Sequence, residues 1–442
     1  MAIAGEAEIG KVDTRVDAPT LADLFTTFLK IGFLSFGGAA GQIAMMHRIV
    51  VDEKRWLDEA RFLHALNYCM LLPGPEAQQL ATYIGWRIHG VRGGLISGVL
   101  FVLPGALIMT GLGMLYVLGT GLTLVDGLFF GIKAAVLAIV AQALLKIAAK
   151  GLKGALPVAI AVVAFVLMTF SEAPFPLVVL GAGLIGYVAE AASGGAQAAA
   201  SADAQPGRTR RALLTAGLCL AAWWAPIGLA AAVAGPDSLL VDLGLFFSKL
   251  AVLTFGGAYA VLAWLSQEAV SAGWVTPGQM IDGLGLAETT PGPTILVNQF
   301  VGFLGGAAQG GLGLAALGAG MAVWATFAPS FLWIFAGAPF IEELRGARRL
   351  AGALRAVTAA VVGVIGFVAA WFALNVLFGE VAFAGGAPLR WPVVDGTALD
   401  VAAAGLTVLA FVLLFGLRQP MMRVVGVMAA LGVAMQAFGL VG

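Results

Sequence analysis

Charge is what this sequence has least of. Asp, Glu, Lys and Arg make up only 11% of its 442 residues, and 60% are hydrophobic. Ordinary soluble domains carry about 25% charged residues. A chain this poor in charge cannot cover a large globular surface, so an all-α polytopic membrane protein, with the lipid bilayer as its first partner, is expected. The net charge of zero removes any electrostatic case for a nucleic-acid partner. Cysteine is nearly absent: Cys69 and Cys219 are the only two, both within apolar runs, which excludes a disulfide framework and a cysteine metal site. His47, His64 and His89 are spaced too widely for one helix face, and without an HExxH run no metal is expected. GxSxG, CxxC and GK[ST] runs are missing too. The expectation is therefore no enzyme, no cofactor, and energy drawn from an ion gradient or a partner. Residues 1–20 hold no apolar core ahead of a cleavage site and read as a cytoplasmic tail, not a removable signal.

What is present is thirteen apolar stretches, two of them broken in the same way. Phe62 to His89 is interrupted by Pro73-Gly74-Pro75, and Gly283 to Gly302 by Pro291-Gly292-Pro293. Two prolines around a glycine stop one helix and start another. Backbone broken at membrane depth must lie inside protein or line an aqueous cavity. Phe28, Lys30, Phe36, Gly37 and Gly38 recur at one constant offset as Phe247, Lys249, Phe255, Gly256 and Gly257, and Trp56 recurs as Trp274. The order is kept, so the chain reads as a duplication: a first repeat over 21–190, a small and polar linker over 191–211, and a second repeat over 212–442. Lys146, Lys150 and Lys153, then Arg208, Arg210 and Arg211, then Arg345, Arg348, Arg349 and Arg355, then Arg418 and Arg423 fall on one side when the spans alternate, which the positive-inside rule makes cytoplasmic. On that scheme the repeats are inverted, and broken hydrophobic segments at matching positions of two repeats point to a transporter site. Full crossing by 22–46 and 62–89 would leave Arg48, Lys54, Arg55 and Arg61 outside. Re-entrant hairpins put them inside, and each half of 62–89 is too short for the roughly 20 residues a crossing needs.

These residues resemble the chromate ion transporter family in its long, two-repeat form. The resemblance rests on KIGFLSFGG, LLPGPEAQQLATYIGWRIHGVRGG and FVLPG in the first half, and on SKLAVLTFGGAY and TTPGP in the second. It implies a bacterial inner-membrane exporter of chromate, driven by the membrane potential or the proton gradient, that confers chromate resistance. Sulfate uptake on the same fold stays open, because sulfate has the same shape and charge.

A tetrahedral dianion asks for N–H donors and a cation. The substrate-binding candidates are Pro73, Gly74, Pro75, Pro291, Gly292, Pro293 and Thr294 at the breaks, where helix N-termini point inward. To these are added Gly37, Gly38, Gly256 and Gly257 at the other pair of tips, and the matched cations Lys30 and Lys249. A kinked buried helix and snorkelling lysines are the plain alternatives. Glu76 and Glu288 flank the breaks and are candidates to carry a coupling proton. Glu76 also suits a first helical turn by itself. Arg87 and Arg92 are read as attracting the anion at the cytoplasmic mouth, or as topology anchors. Lys133 is the intramembrane cation, with Asp126 two turns away as its alternative partner. The 61 glycines favour close helix packing as readily in a homodimer as within one chain.

Overall fold

A computed structural model of the chain describes residues 19–36, 38–119, 121–192, 206–254, 259–337, 348–379, 381–386 and 389–440. The fold is all-α and polytopic. Among the described residues six helices are long and apolar enough to cross a membrane. Gly37, Gly256 and Gly257, nearly all of the expected N-terminal tail and the middle of the expected linker lie outside the described residues.

The first half runs α1 (Leu21–Leu34), α2 (Gly38–His47), α3 (Glu59–Cys69), α4 (Glu76–Gly119), α5 (Thr123–Gly151), α6 (Ala155–Phe170) and α7 (Phe175–Ala192). Next comes α8 (Pro206–Ala234), which begins inside the stretch read as linker. The second half follows the same order with α9 (Leu239–Leu253), α10 (Tyr259–Ser271), α11 (Pro277–Thr289), α12 (Val297–Gly337), α13 (Arg348–Phe378), α14 (Val401–Phe411) and α15 (Met421–Ala437). A 3-10 turn at Thr294–Leu296 leads into α12.

Sequence chemistry sets the ends. Thr20 caps α1 by accepting from the Asp23 N–H, while Asp23 accepts from the Thr20 N–H. Thr276 and Gln279 close α11 in the same reciprocal way. Both satisfy amides that a helix N-terminus leaves unpaired. α4 and α12 each reverse direction part-way, at His89-Gly90 and at Gly310-Gly311. Gly90 and Gly311 sit at φ +59° and +69°, backbone that a side chain makes costly. After the reversal the two arms of α4 touch: the Ser97 hydroxyl donates to the Ala81 carbonyl at 2.7 Å.

The Pro-Gly-Pro breaks turn the chain back as well. Across the second break Gly283 of α11 faces the Phe300 ring of α12, and farther from the break Gly305 meets Trp274. In the first half the His89 ring nitrogen lies 2.5 Å from the Pro19 carbonyl, and Lys54 is close enough to Asp23 to act on it electrostatically. The start of α1, the connection after α2 and the turn of α4 therefore share one end of the molecule. Without a hydrophobic drive between helices in lipid, close approach comes from small residues. Gly127 and Gly131 of α5 press on Gly432 and Met428 of α15, and Gly186 of α7 presses on Gly352 of α13.

A short antiparallel hairpin, β1 (Ala382–Gly386) with β2 (Leu389–Val393), covers the end of α6. Arg390 reaches the Met168 carbonyl at 3.4 Å, and its guanidinium stacks 4.7 Å from the Phe383 ring centre. After the hairpin, exposed Asp395 accepts from the Thr397 hydroxyl at 2.6 Å and its N–H at 2.9 Å. These two bonds hold the Asp395 pKa below the ordinary carboxylate value. A folded pKa that is depressed gives stability above the unfolded value, lost as pH falls through the folded one. Thr397→Val is expected to raise the Asp395 midpoint toward about 3.9 in a carboxyl NMR titration. An unmoved midpoint would rule the hydroxyl bond out as a cause and leave the N–H bond.

Candidate functional site

The two breaks meet, and each holds the other half of the chain. The Gly74 N–H donates to the Thr254 carbonyl at 2.8 Å, and the Gly292 N–H donates to the Ser35 carbonyl at 2.7 Å. Ser35 and Thr254 end α1 and α9 at matching positions. Their hydroxyls fold back onto Ile31 and Leu250, both at 2.6 Å, and their carbonyls, which no helix continues past, point across. Both glycines are at positive φ, +112° and +103°, so a residue with a side chain would be strained at either position. Gln79 donates to the Pro73 carbonyl at 2.7 Å, and Gln42 to the Gly292 carbonyl at 2.6 Å. Gly105 of α4 lies flat on Pro291, close enough that a Cβ there would collide with the Pro291 carbonyl oxygen.

Around this crossing the interior is polar. Gln78, Gln79, Thr82, Thr294, Asn298, Gln299 and Ser330 are buried. Asn298 donates to the Thr326 hydroxyl at 3.0 Å, and Gln299 to the Ala106 carbonyl and the Thr110 hydroxyl at 2.8 and 2.7 Å. The amide oxygens of Gln78, Gln79, Asn298 and Gln299 and the Ser330 hydroxyl have no partner. A buried polar atom left so is costly, which marks this as a region made for water or a polar guest.

The expected site residues divide. Pro73, Gly74, Pro75, Pro291, Gly292, Pro293 and Thr294 gather at the crossing, and Gly38 stands near the Thr294 hydroxyl. Glu76 opens α4 half-buried, and Glu288 is buried on the last turn of α11. Lys30 and Lys249 are exposed on α1 and α9, off the buried stripe formed in α1 by Leu24, Thr27, Phe28 and Ile31. Arg87 and Arg92 are exposed beside the α4 turn. The Gly74 and Gly292 N–H groups already have carbonyl acceptors. The donors left by geometry are the first-turn amides after each break, which have no carbonyl one turn back.

Lys133 is not held by Asp126. Its ammonium lies 3.3 Å from Oδ2 of Asp282 on α11, and the Tyr116 hydroxyl of α4 donates to the same oxygen at 2.8 Å. Asp282 is 1% exposed, and its other oxygen, Oδ1, is unpartnered. The pair joins the two halves and lines a cavity of about 790 Å³. Asp282 and Tyr116 escaped the sequence reading, although an acid inside the apolar stretch 281–303 was itself a signal. Among the described residues no group of three His, Cys, Asp or Glu is placed to hold a metal ion.

Comparison with known proteins places the chain. The family model described as chromate transporter matches residues 22–187 and 241–434. A chromate transport protein of Pseudomonas aeruginosa is 34% identical over 351 residues, covering 78% of this chain and 79% of that one. One of Cupriavidus metallidurans is 31% identical, covering 78% and 81%. A probable chromate transport protein of Synechococcus elongatus is 29% identical, covering 79% and 83%. No solved structure matches the chain. With both matched segments spanning the helices that build the crossing, the chain belongs to the chromate transporter family.

Proposed function

We propose that this chain carries chromate out of the cytoplasm across a bacterial inner membrane by gradient-driven alternating access, and so confers chromate resistance. The observation that carries the reading is the mutual bonding of the two breaks, Gly74 to Thr254 and Gly292 to Ser35. It makes one central place where two helix N-termini converge among buried polar side chains. The division into a repeat over 21–190, a linker over 191–211 and an inverted repeat over 212–442 accounts for the matched order of elements. The segments around α1 to α2 and α3 to α4 then enter and leave from the cytoplasm. Half-helix N-termini at mid-membrane suit an anionic substrate.

In this reading the oxyanion accepts from the first-turn amides after Pro75 and Pro293 and from the Thr294 hydroxyl. Exposed Lys30, Lys249, Arg87 and Arg92 supply positive potential at the mouths, without direct contact. Glu76 and Glu288 stand where a carboxylate senses the bound charge. Nothing in this arrangement calls for chemistry on the substrate. Sulfate is the natural competitor.

The test is chromate uptake by everted vesicles energised by respiration, with and without uncoupler and excess sulfate. Uncoupler-sensitive accumulation above empty vesicles is expected, and Glu76→Gln is expected to lower it. Uptake no greater than in empty vesicles would sink the export direction. Faster sulfate transport in the opposite sense would favour the uptake reading.

A further inference from the structure

The cavity beside Lys133 is lined by acid. Asp126, Asp282 and Asp400 share its wall with Lys133, Tyr116 and Gln436, giving three carboxylates against one ammonium. Such a wall repels a dianion and draws cations. Lys133 cannot serve an anion while its ammonium sits 3.3 Å from Asp282. Asp282 itself has one oxygen engaged by Lys133 and Tyr116 and one with nothing.

Among the described side chains, α12 holds no charged residue, α10 has only exposed Glu268, and on α13 Arg349 lies over the Tyr187 ring and Arg355 is turned to Glu190. α4 contributes Tyr116, and α5 contributes Lys133 and, on the cavity wall, Asp126. A single free carboxylate oxygen, with an ammonium on the other, fits a proton. A metal cation needs several oxygens and would sit against the Lys133 charge.

We propose that Asp282 is the proton-binding site of the transport cycle, loaded from this cavity, and that its protonation is positively linked to oxyanion binding. The proton comes from solvent in the cavity that Asp282 lines and returns to the same cavity. With it bound, the wall loses one negative charge and the Lys133 ammonium loses its counter-ion, so an arriving dianion meets a less repulsive face. Each oxyanion then travels with a proton, the charge moved per cycle falls from two to one, and export is driven by the membrane potential acting on that one charge, against the proton gradient. The linkage rests on the oxyanion reading above. The site rests on the cavity, the ion pair and the unpartnered oxygen.

The experiment uses the purified full chain in proteoliposomes, with two readouts for chromate and for sulfate. One is exchange of labelled for unlabelled oxyanion at equal pH. The other is accumulation driven by an imposed pH gradient with the electrical potential clamped. Wild type is expected to do both. Asp282→Asn is expected to keep exchange within about twofold and to lose gradient-driven accumulation by at least about tenfold, with Asp282→Glu restoring it. Asp282→Asn accumulating like wild type would overturn the proposal. Equal loss of both activities would also overturn it, by making Asp282 merely structural. A requirement for sodium when choline replaces it would overturn the proton's identity. Wild type that exchanges neither oxyanion would sink the transport reading, and the linkage with it.

Discussion

Lys133→Met alone is expected to destabilise the folded chain by about 3 kcal/mol, whereas Lys133→Met combined with Asp282→Leu should recover most of that loss. The asymmetry comes from burial. Asp282 is almost wholly enclosed, and Lys133 is about one-third exposed, with side-chain exposures of 2% and 32%. Removing the ammonium leaves an enclosed carboxylate with only the Tyr116 hydroxyl against it, and an uncompensated buried charge is among the costlier defects a fold can carry. Removing both charges leaves an apolar contact between α5 and α11 and takes from the Tyr116 phenol its bond to Asp282, a loss of about 1 kcal/mol. Unfolding of the purified single and double variants, followed by tryptophan fluorescence, gives the comparison. If the two single losses simply add in the double variant, the pair contributes no coupling, and Lys133 holds its place by packing of its stem.

This pair also marks where the sequence stopped being legible. Pro-Gly-Pro is a local instruction: proline chemistry acts on its immediate neighbours, so both breaks could be placed from residue order alone. The expectation of a re-entrant path for 62–89 rested on two further local facts, the short arms on either side of Pro73 to Pro75 and the basic residues Arg48, Lys54, Arg55 and Arg61. The partner of Lys133 is a different kind of fact. Asp126 is two turns away on the same helix and Asp282 is on another helix in the other half, and nothing in helical periodicity ranks one above the other. The same limit applies to Ser35 and Thr254. Both stand just before a recurring Phe-Gly-Gly, but a carbonyl has no sequence signature, and only the fold reveals that each caps the opposite break. Lys30 and Lys249 were made prominent by recurrence alone, and the fold adds only that both are exposed on their helices. The strand pair 382–393 was missed outright, because two five-residue strands in a Gly-rich loop bury too little to leave an alternating pattern.

Gly105→Ala is expected to cut oxyanion transport by at least about tenfold while the chain still inserts and folds. A Cβ at Gly105 would meet the Pro291 carbonyl oxygen and the Leu296 side chain. Leu296 can turn aside, but Pro291 cannot: it is backbone, and the next residue is pinned by the Gly292 bond to Ser35 at 2.7 Å. The added methyl must therefore push the second break away from α4 or stretch that bond. Overpacking of this sort costs about 1–3 kcal/mol, and most of the strain would fall on the crossing itself, since α4 is held elsewhere by its folded-back arm. Gly111 is on the same arm of α4, and a Cβ there would meet nothing within 4 Å. Gly111→Ala is thus the matched control, with the same residue change on the same helix and no expected loss of transport. Initial rates in energised everted vesicles, normalised to the amount of inserted chain, decide the matter. Gly105→Ala transporting as well as Gly111→Ala would mean that the contact between α4 and the second break plays no part in holding the site. A selective loss at Gly105 would tie transport to the close fit of the two breaks, because a single methyl group at that contact, and not at a free face one and a half turns away, would be enough to disable it.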